Sequence, residues 1–179
     1  MGMFSEGNGG GGIWALAASQ TTGAATQTVS VTGLAGIRFR VEIMTPESGI
    51  GFAEYFYLTL NNIGLAAAYP RAHGFLAITT ATVTGSPIST PYISLTGTAI
   101  SGPAGILRIT SDIMCDPATA VGFATSLYVD AKNATERTYK YTTRLHTASI
   151  GAVTSIQFIA SVANGIPAGT RIDVYQSAV

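Results

Sequence analysis

A two-residue rhythm constrains this chain more than any other feature. Ile37, Phe39, Val41 and Ile43 alternate with Arg38, Arg40 and Glu42. Successive side chains of a β-strand point to opposite faces, so this segment reads as a strand with one face in a core and the other in water. The charges on the outer face are expected to pair with each other or with a neighbouring strand. The rhythm returns in residues 14–16, 29–31, 55–60, 107–109, 125–130, 137–145, 156–158 and 171–175. Turn-forming residues separate the runs: Gly33, Gly36, residues 46–51, Asn61-Asn62, and residues 85–91, 102–105, 132–134 and 164–169. No segment shows a capped 3.6-residue apolar stripe, although one turn of helix fits residues 65–69. Many short alternating strands divided by turns specify an all-β fold, an antiparallel β-sandwich or barrel.

A chain of 179 residues buries one sizeable core and is short for two domains. Residues 1–12 end in four consecutive glycines, which are entropically expensive to order and offer nothing to pack. The expected organisation is a flexible Gly-rich N-terminal arm over residues 1–12 and a single sandwich domain over residues 13–179.

Charge narrows the function. Charged residues make up 10% of the chain, nine basic and nine acidic with a formal net charge of zero, against about 25% in ordinary globular proteins. Such an exterior provides little colloidal repulsion, and burial of surface in a homo-oligomer or larger assembly removes the difficulty. A monomer covered by Ser and Thr is the alternative. No cluster of Lys and Arg marks a nucleic-acid surface. No apolar window approaches the ~20 residues that span a bilayer, and the N-terminus lacks a secretory pattern, so a soluble protein without membrane insertion is expected. The single cysteine, Cys115, has no partner for an internal disulfide.

Motifs for catalysis or ligand binding are sparse in this chain. The tract of residues 9–12 lacks the Gly-Lys-Ser/Thr ending of a phosphate loop. His73 and His146 stand apart from any metal-ligand spacing, and there is no Gly-x-Ser-x-Gly elbow. Glu42, Glu47, Glu54, Asp112 and Asp116 are the acids a glycoside hydrolase would draw on, but Glu47 and Asp116 adjoin prolines, where acids cap turns. Asp112 and Asp116 do not follow the EF-hand pattern for calcium. Asn133-Ala134-Thr135 reads as a turn in the absence of a secretory signal. The expectation is a protein that is not an enzyme, with no catalytic residue, cofactor or metal. Tyr55, Tyr57, Tyr139 and Tyr141 alternate along their strands and are the candidate contacts for a glycan or a partner subunit, unless they fill the core of a second sheet.

Three passages together resemble a family of tailed-bacteriophage virion proteins. Trp14-Ala15-Leu16-Ala17-Ala18-Ser19 leads through a Ser/Thr/Ala-rich bend to Ser30-Val31-Thr32-Gly33-Leu34, similar to that family's opening strands. Tyr57-Leu58-Thr59-Leu60-Asn61-Asn62, followed by Tyr69, is similar to its strand ending in Leu-x-x-Asn. Val153-Thr154-Ser155-Ile156-Gln157-Phe158 and Ala168-Gly169-Thr170-Arg171-Ile172-Asp173-Val174-Tyr175 resemble its closing strands. Residues 71–103 have no counterpart, and the ending Gln176-Ser177-Ala178-Val179 departs from the family's Tyr-Gly-[Ile/Leu]. The resemblance implies a jelly-roll-like sandwich in a capsid decoration, head fibre or tail fibre, commonly trimeric, assembled in the host cytoplasm and partnered by other capsid or tail proteins. It supplies no catalytic residues. The alternative role is a carbohydrate-binding receptor-recognition module that grips a host-surface glycan at a fibre tip.

Overall fold

The computed structural model describes residues 14–46, 50–64, 71–78, 92–95, 100–102, 107–130, 137–145 and 147–177; for 50–54, 71–78, 94, 100–102, 107, 127–130, 137–142 and 144 it describes the backbone alone. The expected N-terminal arm and the helical turn at 65–69 lie outside the described residues, as do His146 and the Asn133 sequon. The elements run β1 (Trp14–Thr21), β2 (Thr28–Gly36), β3 (Arg38–Met44), β4 (Ile50–Glu54), β5 (Phe56–Leu60), β6 (Arg71–Ile78), β7 (Ile93–Ser94), β8 (Ile100–Gly102), β9 (Leu107–Asp116), β10 (Val121–Asp130), β11 (Arg137–Arg144), α1 (Thr147–Ile150), β12 (Val153–Ala160) and β13 (Arg171–Ser177).

Two antiparallel sheets face each other. One has seven strands in the order β1-β13-β3-β9-β10-β11-β6, the other four in the order β2-β12-β5-β7, and β4 pairs with β8 separately. The first strand lies beside the last, the second beside the second-to-last, and β3 and β5 flank β13 and β12 in the two sheets. That winding, a long antiparallel hairpin rolled so that its halves alternate between layers, is a jelly roll. β10, β11 and β6 widen one sheet beyond it. The fold class is therefore all-β, an antiparallel sandwich as the alternation predicts, and its strand order makes that sandwich jelly-roll-like.

The alternation becomes the core. Phe39, Val41 and Ile43 of β3, Ile109, Ile113 and Cys115 of β9, and Ile172 and Val174 of β13 point inward from the larger sheet; Val29, Val31, Phe56, Leu58, Leu60, Ile156 and Phe158 meet them from the smaller one. The Phe56 and Phe158 rings stack with centroids 5.2 Å apart. Each such side chain contributes about 1.5–3 kcal/mol by leaving water. Further along the larger sheet the inward residues shrink to Gly122, Ala124 and Ser126, and a Cβ on Gly122 would lie 2.6 Å from the Thr147 methyl. The chain after β11 packs directly on β10 there.

Side chains lock the windings together. The β1–β2 bend runs along the β12–β13 turn: the Thr22 hydroxyl donates to the Pro167 carbonyl at 2.7 Å and accepts from the Thr170 N–H at 2.9 Å, and Thr26 and Ile166 exchange backbone bonds. Asn61, in a tight turn with φ +54°, donates to the carbonyls of Ile150 and Ala152 and accepts from the N–H groups of Thr154 and Ser155. A short polar side chain tolerates the left-handed conformation. This one ties the end of β5 to the start of β12. Strands β4, β6, β7 and β8 lie outside the expected runs. β4 begins inside the expected break at 46–51, because its partner β8, remote in sequence, supplies the ladder that local composition does not show.

Candidate functional site

The outward positions of the two sheets differ in kind. On the larger sheet, cross-strand register places side chains of β1, β13, β3, β9 and β10 in rows. One row holds Thr21, Arg171, Met44 and Arg108; the next Ser19, Asp173, Glu42 and Thr110; the third Leu16, Tyr175, Arg40, Asp112 and Thr125. A fourth brings Arg38, Met114 and Phe123 together near Trp14. Four of the nine basic residues (Arg38, Arg40, Arg108, Arg171) and four of the nine acidic ones (Glu42, Asp112, Asp116, Asp173) stand on β3, β9 and β13 of this face.

Much of that charge is internally spent. Arg40 grips Asp112 with Nε–Oδ1 2.7 Å and Nη2–Oδ2 3.1 Å, and this hydrogen bond is the chief reason its guanidinium is held even more firmly protonated than usual. Arg171 Nε lies 2.8 Å from Asp173, which also accepts from the Ser19 hydroxyl at 2.5 Å. Asp116 accepts from the Thr119 hydroxyl and the Ala118 N–H, which hold its carboxyl below the usual range. The expected pairing of Arg38, Arg40 and Glu42 is thus realised at Arg40 alone, across to β9; Arg38 and Glu42 have no ion-pair partner among the described residues. Asp112 and Asp116 are engaged by these groups, and no group of three or more His, Cys, Asp or Glu able to hold a metal occurs among the described residues.

Two shallow grooves cross this face. One of about 380 Å³ lies over Met44, Arg108, Arg171, Glu42 and Asp173. The other, about 320 Å³, is lined by Trp14, Arg38, Asp112, Ile113, Met114 and Phe123. Trp14 reaches over β13, so its ring centroid is 5.1 Å from the Arg40 guanidinium, while Phe123 is 44% exposed and Leu16 53%. Sequence reading passed over Trp14 and Phe123. Only the jelly-roll winding brings β1 and β10 into one sheet.

The smaller sheet presents no charge at all. Its rows are Thr32 and Ser155; Ser30, Gln157 and Thr59; and Thr28, Ile159, Tyr57 and Ser94. Gln157 donates to the Ser30 hydroxyl at 3.0 Å and accepts from the Thr59 hydroxyl at 3.3 Å, a neutral brace across three strands. At its end Tyr57 stacks with Tyr55, centroids 6.5 Å apart, and packs tilted against Tyr92 at 3.8 Å. Burial, then the hydrogen bond to Tyr92, pushes the Tyr57 phenol up. Of the four expected tyrosines, Tyr55 and Tyr57 are therefore together on one outward face, joined by Tyr92. Tyr139 and Tyr141 fall on β11 in the other sheet, and their side chains lie outside the described residues.

A signal for the neutral face was present in the chain: residues 7–37, 55–70, 72–107 and 145–170 contain no Asp, Glu, Lys or Arg, and β2, β5, β7 and β12 lie one in each. The two strands bordering one side of the sandwich, β1 of eight residues and β2 of nine, hold neither charge nor proline. Neither is paired on its outer edge among the described residues.

No protein-family model matches the chain, and no curated protein matches its sequence. Among solved structures, the chain is similar to part of a bifunctional GH43-CE protein of Bacteroides eggerthii, with 9% identity and a TM-score of 0.35; the match covers 79% of this chain and 18% of that one.

Proposed function

We propose that this chain is a structural component of a bacteriophage particle, a capsid decoration, head fibre or tail appendage, that works by adhering to copies of itself and to neighbouring virion proteins and not by catalysis. The observation that carries this reading is the charge-free side formed by the outer face of β2, β12, β5 and β7 together with the open edges of β1 and β2. Burying charge in an interface costs several kcal/mol per unpaired ion, so interface cores are depleted of it. Exposed edge strands are ordinarily blunted by Lys or Pro. β1 has only a bulge between Leu16 and Ala18. The resemblance to virion proteins supports the same reading, because its first and third passages lie against each other through Thr22 and Thr170. A trimer is the oligomer that resemblance implies.

In this reading residues 1–12 attach the sandwich to its neighbour. Deleting them abolishes incorporation into particles while thermal unfolding of the remaining chain is unchanged; normal incorporation of the truncated chain refutes the arm's role.

A second reading, recognition of a host glycan, is favoured by two aromatic groups, exposed Tyr55 with half-buried Tyr57 and half-buried Trp14 with exposed Phe123. Amphipathic rings beside a few fixed polar groups suit sugar faces. Binding on a glycan array that Tyr57→Ala or Phe123→Ala removes supports it, and a silent array counts against it.

A further inference from the structure

The groove between Trp14 and Phe123 combines three features. Two aromatic residues, Trp14 and Phe123, line it. Its tryptophan is held in place: Asp112 fixes the Arg40 guanidinium by two hydrogen bonds, and that guanidinium lies 5.1 Å from the Trp14 ring centroid, so the ring is oriented before any ligand arrives. Among its described residues one charge is left unspent. Arg40 and Asp112 neutralise each other, whereas exposed Arg38 has no ion-pair partner among the described residues and lines the same groove. The volume of about 320 Å³ is at the small end of ligand sites.

From these we propose that the groove binds an acidic saccharide, one sugar ring lying on the Trp14 and Phe123 rings and its carboxylate held by Arg38; this rests on the glycan-recognition reading above. A planar guanidinium matches a carboxylate through two parallel hydrogen bonds. The apolar faces of a pyranose suit aromatic side chains. A nucleic-acid strand calls for several free cations along its successive phosphates, and among the described residues lining the groove Arg38 alone lacks an acidic partner.

The test is calorimetric titration of the full chain with oligogalacturonate, its methyl ester, a neutral galactose oligomer and an oligothymidylate. The acidic sugar is expected to bind about 10-fold or more tightly than its ester or the neutral oligomer, as befits a hydrogen bond to a charged group. Arg38→Gln should abolish that preference, and Phe123→Ala should weaken both acidic and neutral sugars; both residues are exposed, and far-UV circular dichroism with a melting curve confirms that each variant is folded. Equal binding of acid and ester, or an acid preference that survives Arg38→Gln, overturns the acidic specificity while leaving glycan recognition standing. Tighter binding of the oligothymidylate overturns the ligand class. Failure of every saccharide to bind overturns both this inference and the reading beneath it.

Discussion

On the larger sheet the outward positions of β13, β3 and β9 carry Arg, Asp and Glu in facing rows, with salt bridges at Arg40–Asp112 and Arg171–Asp173. On the smaller sheet the same kind of positions hold Ser, Thr, Gln, Ile and Tyr, braced by Gln157. Both faces cover one core, yet they answer differently to a partner. Ionic rows resist desolvation unless every ion keeps its mate. A neutral hydroxyl-and-amide face gives up water at far lower cost, since its groups can exchange hydrogen bonds with an equivalent surface. The sparse charge of these strands is partitioned between the two faces, and the proposed function assigns contact to the neutral one.

The largest expected effect comes from erasing the partition. Thr32→Arg places a charge at an exposed position of edge strand β2. Light scattering should show the oligomer falling to a monomer, with stability changed by no more than about 0.5 kcal/mol, as for a surface substitution. Thr110→Arg on the ionic face should leave the mass unaltered. Equal effects from the two variants would erase the distinction between the faces.

Next in size is the joint that holds the neutral sheet's centre. Asn61→Ala removes five hydrogen bonds to residues 150–155, from the end of α1 into β12, and leaves a left-handed residue without its local support. Denaturant unfolding should show a loss of about 2–4 kcal/mol. A loss below about 0.5 kcal/mol would mean that water replaces those bonds fully.

Salt sharpens the contrast at smaller scale. Asp112→Ala breaks a bidentate pair whose side chains are 35% and 48% exposed, so solvent screening limits the loss to about 1 kcal/mol, shrinking as ionic strength rises. Gln157→Ala removes neutral bonds of about the same total size, and its cost should be independent of salt. Parallel salt dependence of the two would contradict the assignment.

The smallest effects are on pH dependence. The Asp116 carboxyl is held low by Thr119 and Ala118, so what it contributes is present above its unfolded value, near ~4, and is lost as pH falls through the lower folded value. Asp116→Asn should flatten that acid limb slightly. Burial pushes the Cys115 thiol up to about 11; its contribution is complete below the unfolded value and is lost as pH rises through the folded one. The folded protein should therefore resist thiol reagents at about pH 8 and react on unfolding. Rapid labelling of the native chain would show that the β9 interior opens.

How much of this the chain revealed follows from the range of the interactions. The strands β3, β5 and β13 were legible because period-2 patterning is local; patterning alone left sandwich and barrel open, because the jelly-roll winding depends on pairings between strands remote in sequence. Register was hidden: Ser19 meets Asp173 only through a pairing of the first strand with the last. β6, with no clear alternation in Arg71–Ile78, takes its form from β11 beside it. The tyrosines were legible as outward residues on β5, but their grouping with Tyr92, and the separation of Tyr139 and Tyr141 into the other sheet, depend on strand order. The Trp14–Phe123 groove depends on it entirely.

The central claim is that the neutral side of the sandwich is made to be covered by other chains. Its most direct test is the mass of the purified full chain in solution, followed by light scattering over a wide range of concentration and salt. The account predicts an oligomer, with the trimer as its expected form, that persists at high salt because no ionic contact holds it. A monomer at every concentration would contradict it.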